Sequence, residues 1–415
     1  MLDINKIRTN KAEVEEALLK RLKPEDFNLD KILELDEQRR GLIPEIDELK
    51  AERNKFSKTK PDEQTIKRMK EVGEKIKKLE TELEKIEEKF NEGMSSLPNL
   101  PAEDVAAGGP EHNKVLDSYG HRPKFSFPAK DHLELATSLK LIDYERAVKM
   151  SGSGFWAYTG DGALLEWALL NYFIDFHKKN GYTFIIPPYL LNEDSAFVSG
   201  HLPKFKDDLY WTQDKTCLNA TAEMMLGNYH RDEILAAEAL PLKYFAFSTC
   251  FRREAGSYRT EERGMVRGHQ FNKIEMFLLA KPEETWLAFA ELLKYAQTLV
   301  RGLDLHFQTS QLAAGDCSAA MAKTVDLEVW LPSMNTYKEV SSVSNALDYQ
   351  ARRGNIKYKT RDGKKDYVHT LNASGLATSR LIPALLEQNQ QADGSVKVPK
   401  VLRKFVGKKI IKRPE

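Results

Sequence analysis

The sequence predicts an α+β protein in two parts, an arm of antiparallel coiled-coil helices followed by a domain built on an antiparallel sheet. Two stretches carry this reading. Within residues 29–94, apolar side chains recur at three- and four-residue spacing in two runs, the seam of a coiled coil, and the polar turn TKPDEQ at 59–64 joins them. Within residues 243–280, two apolar runs flank a polar centre, the pattern of two long strands joined by a loop. The prolines and glycines of SLPNLPAED and AGGP, between 95 and 110, break the second helix. They divide the chain into an arm domain, 1–105, and a sheet domain, 106–415.

In the arm, the first seam runs through Ile32, Leu35, Leu42, Ile46, Leu49 and Phe56, with Arg39 and Arg53 at two seam positions. The second runs through Ile66, Met69, Val72, Ile76, Leu79, Leu83, Ile86, Phe90 and Met94. Two such helices joined by a tight turn form a hairpin about 43 Å long at 1.5 Å per residue. Pro44 is expected to kink the first helix or weaken it. Basic residues crowd the far end: Lys50, Arg53, Lys55, Lys58, Lys60, Lys67, Arg68 and Lys70. They fit either the solvated face of a dimerisation arm or a contact for a phosphate backbone.

The bulk properties narrow the function. At 415 residues the chain is long enough for two or three domains with a large core. It is 41% hydrophobic and 30% charged, yet its net charge is only +1, so any nucleic-acid surface must be local. Cys217, Cys250 and Cys317 lie far apart without CxxC spacing, which argues against a disulfide framework or a four-cysteine zinc site. No N-terminal apolar segment or 18-residue apolar run occurs, so a cytoplasmic protein without a membrane span is expected.

In the sheet domain, 132–147 reads as helix, 151–160 as strand and turn, and 162–180 as an amphipathic helix capped by Gly181. Residues 181–191 read as a buried strand closed by Pro187 and Pro188. Residues 221–230 and 285–303 read as helices, 325–332 and 337–345 as strands, and 371–390 as a small-residue turn leading into a helix. The tail from 397 is basic and fits either further backbone contacts or a solvated end. On the hairpin, period-2 alternation puts Arg252 and Glu254 on one face of the first strand. On the second strand it groups His269, Phe271, Lys273 and Glu275, with Ile274, Met276 and Leu278 opposite. An arginine fork reads phosphate or carboxylate, and a lone aromatic offers a base a stacking plane. A simple solvated face is the competing reading.

Several separated motifs then agree in order. These are Gly-aromatic-x-x-Ile-Ile-Pro-Pro at 181–188, Thr-Ala-Glu at 221–223, and Phe-Arg-x-Glu at 251–254 followed by His-Gln-Phe-x-Lys-x-Glu at 269–275. Asp-x-Glu-Val-Trp at 326–330, Glu-Val-Ser-Ser at 339–342 and Asn-x-Ser-Gly-Leu-Ala-x-x-Arg at 372–380 complete the set. Together with the arm, the whole chain resembles the seryl-tRNA synthetases, class II aminoacyl-tRNA synthetases of the standard, non-zinc type. The resemblance implies motif 1 at about 165–191, motif 2 at about 243–280 and motif 3 at about 371–390, and a homodimer joined through motif 1.

It also implies the site. Catalysis falls to Arg252 and Arg380, on the α- and γ-phosphates. Serine binding falls to Thr221, Ala222, Glu223, Arg252, Glu275, Asn372 and Ser374. ATP binding falls to Arg252, Arg253, Glu254, Phe271, Glu339, Val340, Ser341, Ser342 and Arg380, with Mg²⁺ on Glu339 and Ser342. The tRNA(Ser) backbone would meet Arg53, Lys55, Lys58, Lys60 and Arg68 on the arm, and tRNA(Sec) is a further implied acceptor. Two other readings use the same fold: a paralogue activating a small amino acid for another acceptor, and a non-catalytic tRNA-binding homologue. The retained arm speaks against the first, the complete residue set against the second.

The sequence departs from the family pattern in four places. Cys217-Leu218-Asn219-Ala220 replaces an aliphatic-Ile-Pro run before Thr221. The motif 2 loop, 255–264, keeps its length but changes its charge order. Gly154 stands where an arginine is common, and Gly268 where a bulkier residue is usual.

Overall fold

A computed structural model describes residues 1–56, 62–255 and 264–414. The turn expected at 59–64 is therefore described only from residue 62. Lys58, Lys60 and most of the motif 2 loop lie outside the described residues. The chain forms two compact units, Met1–Leu100 and Pro101–Glu415.

In the first unit, α1 (Leu29–Phe56) and α2 (Glu63–Ser96) pack against each other. Leu29, Ile32, Leu35 and Ile46 of α1 are buried, as are Ile76, Phe90 and Met94 of α2. Arg39, one of the two basic seam residues, lays its guanidinium over the Phe90 ring at 4.7 Å, so its stem and plane replace an aliphatic knob. Ion pairs cross the seam from Lys50 to Glu80 and from Lys75 to Glu45, each at 2.8 Å. Pro44 lies inside α1, which continues through it. Pro44 and Gly41 are exposed, so the ring sits where a lost N–H bond meets water.

The second unit is organised by an eight-stranded sheet. Its strands in chain order are β1 (Lys114–Tyr119), β2 (Thr183–Ile185), β3 (Leu242–Phe251), β4 (Gln270–Ala280), β5 (Phe307–Gln311), β6 (Lys323–Leu331), β7 (Thr336–Leu347) and β8 (His369–Ala377). Their spatial order is β1-β5-β6-β7-β8-β4-β3-β2, antiparallel throughout except that β2 runs parallel to β3. Helices α3 (Asp161–Lys179), α4 (Thr285–Gly302) and α5 (Thr378–Gln388) supply Leu165, Leu169, Phe173, Leu292, Leu299, Leu381 and Leu385 to the core on one face. Ile274, Met276 and Leu278 of β4 point into this core. Each such buried aliphatic side chain contributes on the order of 1.5–3 kcal/mol.

The other side of β4 changes character along its length. Phe277 and Leu279 enter a second apolar cluster with Ala222, Met224, Tyr244 and Ala246. Glu275, Lys273 and Phe271, two, four and six residues before Phe277 in the same alternation, lie at the polar end of that face. One strand face thus carries both a small core and a site.

Five local expectations change. Residues 181–191 form no buried strand: β2 spans only Thr183–Ile185, an exposed edge strand, because only β3 flanks it, and Leu190–Leu191 is a separate short strand. Residues 132–147 form two helices, His132–Ser138 and Tyr144–Ser151, separated by the strand Ile142–Asp143. Lys140, at a φ of 54°, turns the chain between them. The helix at 221–230 shrinks to Glu223–Leu226. The small-residue start of motif 3 is no turn but the strand β8, in the middle of the sheet. Its Gly375 has a packing reason, since a Cβ there would stand 2.6 Å from His177 Nε2. The basic tail folds back: Val396–Lys397 pairs with Ile410–Ile411, and Lys404 and Lys408 bond Asp175 and Asp161 of α3 at 2.8 and 2.7 Å.

Candidate active site

A cavity of about 550 Å³ opens over the polar end of β4. β4, β7, β8 and α5 bring Lys273, Glu275, Glu339, Ser342, Asn372, Ser374 and Arg380 to its wall, the residue after β3 adds Arg252, and the 217–226 segment adds Thr221 and Glu223. A side lobe of about 50 Å³ adds Phe271. The candidates that sequence reading scattered over 160 positions thus share one pocket.

At one end is a buried polar pocket. Thr221 Oγ1 donates to Glu275 Oε2 at 3.3 Å and lies 2.7 Å from Lys273 Nζ. Lys273 also pairs closely with Glu275. Asn372 Nδ2 bridges Glu223 Oε2 at 3.0 Å and Glu275 Oε1 at 3.4 Å. Gln350 Nε2 donates to Glu223 Oε1 at 2.7 Å. Burial, then the adjacent Glu275, pushes the Glu223 carboxyl up to about 7. Thr221 also accepts the Glu223 N–H at 3.2 Å, so its local role in starting the short helix and its place in the pocket hold together. The pocket brings two carboxyl groups and a hydroxyl together around one lysine, a set of acceptors and donors that suits a small molecule carrying both an ammonium and a hydroxyl.

At the other end are the arginines. Arg252 and Glu254 do not lie on β3 as alternation predicts, because the strand ends at Phe251. Arg252 N–H still bonds His269 O at 2.9 Å, one step beyond the last strand pair, and its Nε donates to Ala220 O at 3.3 Å. Its guanidinium sits 5.2 Å from the Phe271 ring centroid. Glu254, at a φ of 53°, accepts from Arg267 Nε at 2.7 Å and lines the cavity. Arg380 Nη1 reaches the Glu339 carbonyl at 2.9 Å and its carboxylate at 3.1 Å.

Glu339 and Ser342, three residues apart, would point to opposite faces of a regular strand. A bulge corrects this. Leu327 pairs with Ser341 but Glu328 with Glu339, so Val340 is the extra residue. Ser342 Oγ then donates to Glu339 Oε1 at 3.1 Å. Asp326, paired opposite Ser342, joins them with its Oδ1 buried and without a hydrogen-bond partner. Burial, then the neighbouring Glu339, pushes the Asp326 carboxyl well above the usual range. Burial works against Glu339 too, but Arg380 and Arg252 hold it below that range. Among the described residues, no group of three His, Cys, Asp or Glu side chains forms a metal cage. Two or three hard oxygens with vacant lone pairs fit a Mg²⁺ ion that takes its remaining ligands from phosphate and water.

Four predicted residues do not turn their side chains to the cavity. Arg253 is exposed, with its N–H on Asp208 O at 2.9 Å. Ala222 and Val340 belong to the apolar clusters. Ser341 is buried and donates to Ser374 O at 2.6 Å. They follow the motif as neighbours of the lining residues.

Sequence reading missed His201, Arg267, Asp326 and Gln350. His201 lines the cavity, and burial, then Arg252 and Lys273, pushes it down to about 3, so it stands neutral. No local spacing announces it. Asp326 lay in a quoted motif, and its position across from Ser342 was the missing signal. Lys273, without a role on sequence grounds, is the pocket's buried counter-charge.

Two departures also find reasons. Asn219 Nδ2 bonds Thr249 O at 2.9 Å, tying the pocket segment to β3. At Gly268 a Cβ would lie 2.1 Å from Trp156, so this glycine and the indole fit as a pair.

Known proteins similar to this chain fall in one family. Residues 1–101 match the seryl-tRNA synthetase N-terminal domain. Residues 204–389 match the tRNA synthetase class II core domain (G, H, P, S and T). The chain is 54% identical to serine--tRNA ligase 2 of Clostridium acetobutylicum, over 98% of this chain and 99% of that protein. It is 46% identical to the serine--tRNA ligase of Petrotoga mobilis, over 99% and 100%. The crystal structure of seryl-tRNA synthetase from Pyrococcus horikoshii complexed with ATP superposes with a TM-score of 0.92 at 34% identity, covering 100% of both chains. The chain belongs to the seryl-tRNA synthetase family of class II aminoacyl-tRNA synthetases.

Proposed function

We propose that the chain ligates serine to tRNA(Ser) in two steps at this cavity, with tRNA(Sec) as a second acceptor. One observation carries the reading: a hydroxyl-reading, anion-lined pocket opens directly onto two arginines and a hard-oxygen pair. Thr221, Glu223 and Glu275 take the serine ammonium and hydroxyl, with Asn372 and Ser374 beside them. Arg252 takes the serine carboxylate and the α-phosphate, Arg380 the γ-phosphate, and Phe271 the adenine ring. The backbone of Arg253 and of Val340–Ser341 supports these contacts, and Glu254 faces the adenine edge.

The serine carboxylate attacks the α-phosphorus, the bond to the β-phosphate oxygen breaks, and pyrophosphate leaves. No protein nucleophile is required. The chain contributes orientation and fixed positive charge where negative charge is handed from one oxygen to another. Glu339 and Ser342, with Asp326 behind them, would hold Mg²⁺, which neutralises phosphate charge when bound. In the second step, the ribose hydroxyl of the terminal adenosine attacks the adenylate carbonyl, and AMP leaves.

The arm carries exposed Arg53, Lys55 and Arg68 at the end of its hairpin, a charge pattern that suits a tRNA backbone. Leu164 and Trp167 on α3, and Ile186 and Leu190 after the edge strand β2, are exposed apolar side chains. They support a homodimer through motif 1. No helix among the described residues is long and apolar enough to cross a membrane.

Serine-dependent ATP–pyrophosphate exchange, repeated with tRNA, tests the reading. Exchange plus charging is expected. Exchange without charging points to a paralogue with another acceptor, and neither activity to a non-catalytic homologue. Deleting residues 30–95 is expected to spare exchange and abolish charging, and normal charging by that variant would remove the arm's role.

A further inference from the structure

Helix α3 carries a carboxylate that neither the serine pocket nor the phosphate arginines use. Glu166 is 3% exposed, between Leu165 in the core and Trp167 at the surface. Its Oε1 accepts from Asn272 Nδ2 at 2.8 Å and from Thr378 Oγ1 at 2.7 Å. Thr249 Oγ1 completes the network, donating to Asn272 Oδ1 at 2.9 Å. One carboxylate oxygen therefore joins α3, β3, β4 and α5.

The partners are placed with consequence. Asn272 lies between Phe271 and Lys273, Thr378 opens α5 two residues before Arg380, and Thr249 precedes Arg252 by three. Of the elements meeting at Glu166, β4 carries Phe271, α5 carries Arg380, and β3 leads directly into Arg252. The other oxygen, Oε2, is buried, and the Tyr158 hydroxyl, also buried, is its polar neighbour. Burial pushes the Glu166 carboxyl up to about 7. A buried acid is costly as mere packing, since an apolar side chain of similar volume would fill the space without the desolvation penalty. Its two short bonds to the neighbours of site residues are what distinguish it.

We propose that Glu166 is a positioning residue for ATP: by holding Asn272 and Thr378 on one oxygen, it fixes Phe271 and Arg380 relative to each other. This rests on the ATP roles assigned above to Phe271 and Arg380. Serine binding, on the far side of Lys273, depends on it less.

The test is pyrophosphate exchange by the full-length protein, with KM for ATP and for serine measured separately and thermal unfolding recorded for each variant. Thr378→Val keeps the side-chain shape and removes the donor. It is expected to raise the ATP KM about ten-fold and leave the serine KM within about two-fold, the effect of losing one hydrogen bond to a charged or strongly polar partner. Glu166→Ala is expected to do the same or more, and the double variant no more than the larger single. Glu166→Gln keeps a carbonyl oxygen for both donors and is expected to restore the ATP KM. An unchanged ATP KM in Thr378→Val overturns the proposal, as does an equal rise in both KM values that tracks lowered thermal stability. Equal loss in Glu166→Gln and Glu166→Ala overturns it too. Arg380→Ala serves as the control for the underlying reading. If it raises the ATP KM while Thr378→Val does not, the positioning role alone fails. If neither does, the ATP assignment fails.

Discussion

The two ends of the cavity are built on different principles. At the end proposed for serine, Thr221, Glu223, Lys273, Glu275 and Asn372 satisfy one another, all of them buried. At the ATP end, Arg252, Glu339 and Arg380 are half-buried, and Asp326 keeps an oxygen without a partner. The first end is a preformed network whose pairings a ligand must exchange one for one. The second holds charge in reserve for a ligand that brings more. Under the proposed roles, selectivity follows from the first arrangement, because a substrate lacking the hydroxyl would leave buried polar groups unpaired. Rate would follow from the second, because fixed positive charge would act where phosphate charge moves.

The sharpest way to break this contrast is Arg252→Ala. Exchange is expected to fall by about 10²–10³ or more, the loss of about 2.7–4 kcal/mol typical of one well-placed donor. Exchange near the wild-type rate would remove Arg252 from the reacting phosphate. Next in size is Glu275→Gln, which leaves Lys273 buried without its counter-charge. Breaking such a pair typically costs about 3–5 kcal/mol, so a lower melting temperature should accompany a raised serine KM. A variant as stable as wild type would show that the pocket is less tightly coupled than its distances imply. Thr221→Val is smaller and more selective. It should narrow the preference for serine over alanine by about ten-fold or more while the ATP KM stays unchanged. An altered ATP KM would mean the two ends are not separate.

A separate effect is on stability against pH. The carboxyl of Glu166 has a value of about 7 when folded, against an ordinary 4.5. The folded chain therefore binds a proton that the unfolded chain has released between those values. The contribution is full below about pH 4.5 and is lost as pH rises through about 7, by about 3 kcal/mol at most. Its titratable neighbour is Tyr158, whose own hydroxyl burial pushes well above its usual range, so it stays neutral throughout. Glu166→Gln should flatten the decline of melting temperature between pH 5 and 8, and an unchanged decline would place the carboxyl's titration elsewhere.

Much of this site was legible in one dimension. The alternation of β4 separates Ile274, Met276 and Leu278 from Phe271, Lys273 and Glu275, because strand periodicity is a local property. The arm was legible for the same reason, since a heptad seam repeats in sequence what it does in space. Motif 3 misled because small residues suggest a turn, while β8 uses them so that a central strand can pass close to α3. Arg252 and Glu254 misled because alternation cannot tell where a strand stops.

The sequence by itself determined the two-part architecture, the polar and apolar faces of the hairpin, and the motifs that supply most of the cavity's charged residues. Periodicity and ordered motifs encode these without reference to anything distant in the chain. Only the tertiary structure decided which of them face one another. The bulge at Val340 turns Glu339 and Ser342 to one side, register places Asp326 across from Ser342, and Glu166 reaches Asn272 and Thr378 from another element altogether. Such contacts depend on strand register and helix packing, which are set by the whole fold and leave no spacing in the chain to read.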